Sequence, residues 1–123
     1  MRRSIALIAV LVLTVAVAAC GDDTSDGGNA AEVNIAVTVA GGTVTVTVDG
    51  AAFSDHVAVP KGSTVHLTVT SDVADEAHIH GYDLMVELEA GVEGSLDFTV
   101  DIPGIFEMEL EGSALHLIDL EVS

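Results

Sequence analysis

From Val33 onward, hydrophobic and polar residues alternate along the chain. Val33, Ile35, Val37 and Val39 are separated by Asn34, Ala36 and Thr38, and after Gly41-Gly42 the apolar Val44, Val46 and Val48 are separated by threonines. Val65, Leu67 and Val69 then alternate with Thr64, His66, Thr68 and Thr70. Further on, Leu96, Phe98, Val100 and Ile102 oppose Ser95, Asp97, Thr99 and Asp101, and Phe106, Met108 and Leu110 oppose Glu107, Glu109 and Glu111. A period of two marks strands with one buried face, because successive side chains leave opposite sides of an extended chain. Between the runs lie Asp49-Gly50, Pro60-Lys61-Gly62, Gly91 to Gly94 and Pro103-Gly104, where proline presets φ and glycine accepts positive φ. The spacing predicts seven or eight short strands in the ~90 residues of 33–123, packed as an antiparallel all-β sandwich. Valine lines its interior, with threonine and carboxylate outside. Tyr82 to Glu89 is the one stretch that also suits a short helix.

Before Val33 the pattern is different. Arg2 and Arg3 precede an apolar run from Ile5 to Ala19, shorter than the roughly 20 residues that span a bilayer, as expected of a secretory leader. Val17-Ala18-Ala19-Cys20 resembles the bacterial lipobox, in which the thiol receives a diacylglyceryl group and the cysteine becomes the mature N-terminus. The chain therefore divides into a leader at 1–19, a tether at 20–32 and a folded domain at 33–123. The tether, GDDTSDGGNAAE after the cysteine, holds too little apolar surface to offset the entropy of ordering it. This organisation predicts a lipoprotein attached to the cell membrane through Cys20 and facing away from the cytoplasm. Cys20 is the only cysteine, which excludes an internal disulfide, a zinc ribbon, thiolate-bound copper and a cysteine nucleophile.

Charge narrows the partners. Three basic residues stand against 20 acidic ones, for a formal charge of −17, and Lys61 is the one cation beyond the leader. Nucleic acid is excluded, since binding it depends on lysine and arginine neutralising phosphates. With 3% aromatic residues there is no platform for stacking bases either.

Polar chemistry concentrates in Asp72-Val73-Ala74-Asp75-Glu76-Ala77-His78-Ile79-His80-Gly81-Tyr82-Asp83. His78 and His80 are two apart, so both rings leave one face of a strand. Continuing the parity through Tyr82, Leu84, Val86 and Leu88 makes that face the apolar one and predicts inward-pointing histidines. A pair so placed needs partners, either hydrogen bonds or a metal ion. His116 shares parity with Ile118, Leu120 and Val122 and is also expected inside. His56 and His66 read as surface residues, and Asp72, Asp75 and Glu76 as a solvated acidic loop, since they lack the spacing of a calcium loop. Gly81 permits a turn or a close backbone approach, and Tyr82 suits a ring whose hydroxyl ties down a loop.

The segments VAVPKGSTVHLTVTSDVADEAHIHGYDL and FTVDIPGIFEMELEGSALHLIDLEV resemble the cupredoxin-like domains of exported bacterial proteins. The resemblance implies a Greek-key β-sandwich with any metal site at one end, built from an upstream histidine and from residues of the last loop. Here it points to His78, His80 and His116 as metal ligands. The blue-copper cysteine is missing, which excludes a blue electron-transfer centre. What remains is non-blue copper, with iron a further option because similar domains occur in iron-uptake lipoproteins. Met85 has outward parity and Met108 the parity of a core residue, so neither is assigned as a ligand. Ser113, His116 and Asp119 do not make a triad without an oxyanion hole and a pocket, and no enzyme is predicted. The expected function is carriage or buffering of a transition metal at the cell envelope. The alternative is a metal-free sandwich that binds an envelope protein partner.

Overall fold

A computed structural model describes residues 30–123; the leader, Cys20 and most of the tether lie outside these residues. Ten strands form two five-stranded sheets. The first sheet contains β1 (Glu32–Ala40), β2 (Thr43–Val48), β3 (Ala51–Phe53), β5 (Thr64–Ser71) and β8 (Gly94–Thr99), in the order β3-β2-β1-β5-β8. The second contains β4 (His56–Val59), β6 (Asp75–Ile79), β7 (Leu84–Leu88), β9 (Gly104–Leu110) and β10 (Leu115–Val122), in the order β4-β10-β9-β6-β7. Connections that cross between the sheets give an all-β sandwich, as the alternation predicts, with the Greek-key topology that the resemblance implies.

Three details differ from the sequence reading. The sheets are mixed rather than antiparallel, because β1 runs parallel to β5 and β4 parallel to β10. Hydrophobic alternation fixes which face is buried but is identical for either strand direction. The count is ten because β3 and β4, of three and four residues, are too short to show a pattern. The strand expected to reach Ile102 ends at Thr99, opposite Thr64 where β5 begins. Val100 is still buried, but Ile102 turns outward. Tyr82 to Glu89 holds β7 rather than a helix.

The core is the set of alternating positions: Ile35, Val37 and Val39 of β1 and Val65, Leu67 and Val69 of β5 face Ala77 and Ile79 of β6, Met108 and Leu110 of β9 and Leu117, Ile118, Leu120 and Val122 of β10. At about 25 cal/mol per Å² of apolar surface buried, these aliphatic layers are the main stabilising term. Asp49 and Gly50 take φ of 49° and 80°, the two left-handed residues of a tight hairpin turn.

Candidate metal centre

Two interruptions of the alternation place the histidines. β6 and β7 form an antiparallel pair in which Ile79 faces Leu84, joined by the four-residue turn His80-Gly81-Tyr82-Asp83. A turn of even length switches parity. Inward positions are odd-numbered on β6, Ala77 and Ile79, and even-numbered on β7, Val86 and Leu88. His78 and His80 therefore lie on the outer face of the second sheet, not in its interior as their parity with Leu84 and Val86 suggested. On β10 the register shifts between His116 and Ile118, so Leu117 and Ile118 are both buried. This bulge turns His116 outward as well, correcting its expected inward position.

On that outer face His78 and His80 come together. Their ring centroids are 4.5 Å apart with planes at 38°. Each ring is held by a carboxylate on β9 or just beyond it: His78 Nδ1–H donates to Glu111 Oε1 at 2.6 Å, and His80 Nε2–H donates to Glu109 Oε1 at 2.8 Å. With those nitrogens donating, the neutral rings carry their lone pairs on His78 Nε2 and His80 Nδ1. A carboxylate that fixes the tautomer of a histidine is the usual supporting arrangement around a metal ligand.

The His78 side chain is 12% exposed and its Nε2 is buried without a hydrogen-bond partner; the nearest charged atom, Asp83 Oδ1, is 4.0 Å away. An orphaned buried acceptor is costly unless something completes it. His78, His80 and Glu111 each present a ligand atom within 4.8 Å of the others, the one such group among the described residues. His80 and Glu111 are 46% and 44% exposed, so both can rotate to close that distance. Two imidazole nitrogens and a carboxylate suit a borderline transition metal. The Glu109 carboxylate beside His80 raises the pKa of its ring, partly offset by desolvation.

His116 does not join this group. Its Nε2 sits 3.1 Å from Asp119 Oδ1, and its ring lines a separate shallow cleft of about 460 Å³ with Val44, Phe53, Ser54 and Asp55. His56 contacts Glu121 at 2.6 Å and His66 contacts Asp97 at 2.9 Å, so all five histidines meet a carboxylate. Asp72 and Asp75 are structural rather than merely solvated. Asp72 accepts from Gly41 N–H at 2.7 Å, and Asp75 accepts from the N–H groups of Glu76, Gly112 and Ser113. Sequence reasoning missed Glu109 and Glu111, which the alternation marks only as outward-facing strand residues; their place beside the histidines follows from the β6–β9 register.

No protein-family model matches the chain, and no curated protein does. Solved structures are similar in fold. A chain of a heme-copper terminal oxidase dimer matches with TM-score 0.62 at 20% identity, covering 77% of this chain and 66% of that one. A copper binding protein in its apo form matches with TM-score 0.55 at 16% identity, over 79% and 100% of the two chains. Blue Copper Oxidase from Nitrosomonas europaea matches with TM-score 0.53 at 13% identity, over 76% of this chain and 44% of that one. The domain therefore has a cupredoxin-like fold, as the sequence segments implied.

Proposed function

We propose that the domain binds a single copper ion at a non-blue site, with His78 and His80 as nitrogen ligands and Glu111 as the nearby carboxylate, and that it carries or buffers the ion. The observation that carries this reading is the buried, unpartnered Nε2 of His78 beside a second imidazole and a carboxylate. The copper proteins among its fold neighbours support the choice of metal. When bound, copper supplies only its own coordination. The protein's part is to hold two rings in fixed tautomers and to exclude water from one of them. His116, paired with Asp119 outside the cluster, takes no part. On the leader sequence, we place the domain outside the cytoplasm, anchored through a lipid on Cys20; Cys20→Ser is expected to abolish incorporation of a labelled fatty acid.

The test is Cu(II) titration of the full chain in detergent, carrying Cys20→Ser so that no thiol competes, read by calorimetry and electron paramagnetic resonance. One site is expected. It should be lost in His78→Ala/His80→Ala, unchanged in His116→Ala and weakened about 10- to 100-fold in Glu111→Gln, the range seen when a carboxylate supporting a ligand is removed. Equal, weak binding by the parent and the double histidine variant overturns the reading and leaves the metal-free interaction module.

A further inference from the structure

The turn that moves His78 and His80 to the outer face also places them on the same face as Met85. Met85 is directly opposite His78 in the β6–β7 pair. Side chains so placed have Cβ atoms about 4.5–5.5 Å apart, and diagonal neighbours such as His80 remain within reach of a long side chain. Met85 is 54% exposed and, with Ile105 and Ala58, is one of the few apolar residues on the outer face of a sheet whose other outward positions are charged or histidine. The only other methionine among the described residues, Met108, is 1% exposed in the core. Met85 is thus the one accessible sulfur among the described residues, and it flanks the imidazole with the orphaned nitrogen. The remaining groups around this position are all oxygen donors: Glu76 and Glu87 across the same strand pair, Asp83 in the turn, and Glu109 and Glu111 beyond the histidines.

We infer that Met85 is the thioether ligand through which this site also holds copper as Cu(I), with His78 and His80 shared between the two oxidation states and Glu111 holding the His78 ring in both. The inference rests on the copper-binding reading of His78 and His80. Thioether sulfur is a soft donor that selects Cu(I), and imidazole serves both Cu(I) and Cu(II). The exposed, unbranched Met85 side chain can swing over the His78 ring without disturbing the core. The proposal concerns binding of either ion and includes no electron-transfer step.

The test compares the Cys20→Ser parent with Met85→Leu in three measurements. Cu(I) affinity is determined anaerobically by competition with a chromophoric chelator, Cu(II) affinity by calorimetry, and sulfur ligation by X-ray absorption at the copper edge. Ag(I), which has no redox chemistry under these conditions, provides a parallel titration followed by the methionine methyl signals in NMR. Met85→Leu should weaken Cu(I) and Ag(I) binding by about 10-fold or more and leave Cu(II) affinity within about 2-fold, since only the soft ion uses the sulfur. It should also abolish the sulfur scatterer, and in the parent Ag(I) should shift the Met85 methyl signal while leaving that of the buried Met108 in place. Because Met85 is exposed, the variant is expected to keep the parent's melting temperature. Unchanged Cu(I) affinity in Met85→Leu, alongside a Cu(II) site that depends on the histidines, overturns the Met85 assignment alone. Absence of any histidine-dependent Cu(II) site overturns the reading beneath it.

Discussion

Gly81 combines two constraints at one residue. Its φ is +81°, and a Cβ placed on it would lie 2.5 Å from a ring carbon of Phe106. Phe106 also packs edge-on against Tyr82 at 4.6 Å, and the Tyr82 hydroxyl accepts from Ile102 N–H at 3.1 Å and donates to Ile102 O at 3.0 Å. A side chain at position 81 must displace the ring that supports this loop while adopting a backbone conformation that L residues avoid. Gly81→Ala is therefore expected to destabilise the protein by about 2–3 kcal/mol, combining backbone strain with overpacking, as measured by urea denaturation. It should also weaken metal binding, because His80 is the neighbouring residue of the same turn. A change within about 0.5 kcal/mol, as at an ordinary surface site, would show that the turn does not hold this conformation.

At the level of elements, the β9–β10 turn is fastened to β6 through Asp75. The carboxylate accepts from Gly112 N–H at 2.7 Å, Ser113 N–H at 3.1 Å and Glu76 N–H at 2.8 Å, and a Cβ on Gly112 would stand 2.8 Å from its Oδ1. Desolvation pushes the carboxyl up, but these donors outweigh it and hold it below the ordinary carboxylate range. A lowered pKa in the folded state means stability that is present above the unfolded value, about 3.9, and lost as pH falls through the folded value. In Asp75→Asn, thermal melts should show about 1 kcal/mol less stability at pH 7 and a shallower loss of stability below about pH 4. An acid limb identical to the parent's would rule out this role. Since Glu111 precedes Gly112, the variant should also loosen the carboxylate that orients His78.

The same elements explain what the sequence revealed and what it hid. Long alternating runs such as Ile35 to Val39 and Val65 to Val69 sit in the core as read, because nothing within them disturbs the period of two. The histidines were misplaced for a local reason. His78 lies near the end of β6 and His80 opens the four-residue turn after it, His116 lies at a bulge, and either feature transfers every residue beyond it to the opposite face. The residue types of the candidate site were therefore legible, as was the closeness of His78 and His80. Their orientation, the separation of His116 from them and the placement of Glu109, Glu111 and Met85 beside them depend on cross-strand register, which no local pattern encodes.

Across the whole molecule the two outer faces differ in kind. The first sheet presents rows of small uncharged residues, such as Thr47, Ala36, Thr68 and Ser95, aligned across four strands. The second presents Glu76, His78, Glu87, Glu107, Glu109, Asp119 and Glu121, so much of the molecule's negative charge lies on the face that carries the candidate metal centre. Glu76 and Glu87 are directly opposed; desolvation, then Glu87 and Glu111, raise the pKa of Glu76, as expected for like charges crowded on one surface. With a formal charge of −17 and Lys61 as the only lysine or arginine among the described residues, repulsion between carboxylates should dominate the long-range electrostatics. Salt should therefore stabilise this protein. At pH 8, raising ionic strength from about 0.01 M to 0.15 M shortens the screening length from about 30 Å to about 8 Å and should raise the melting temperature. A melting temperature unchanged by this salt step would mean that repulsion between carboxylates does not govern the protein's stability. A divalent cation without affinity for imidazole, such as Mg²⁺, should reproduce the pH 8 stabilisation at lower concentration than sodium in parent and His78→Ala/His80→Ala alike, separating general attraction of cations to this face from coordination at its centre.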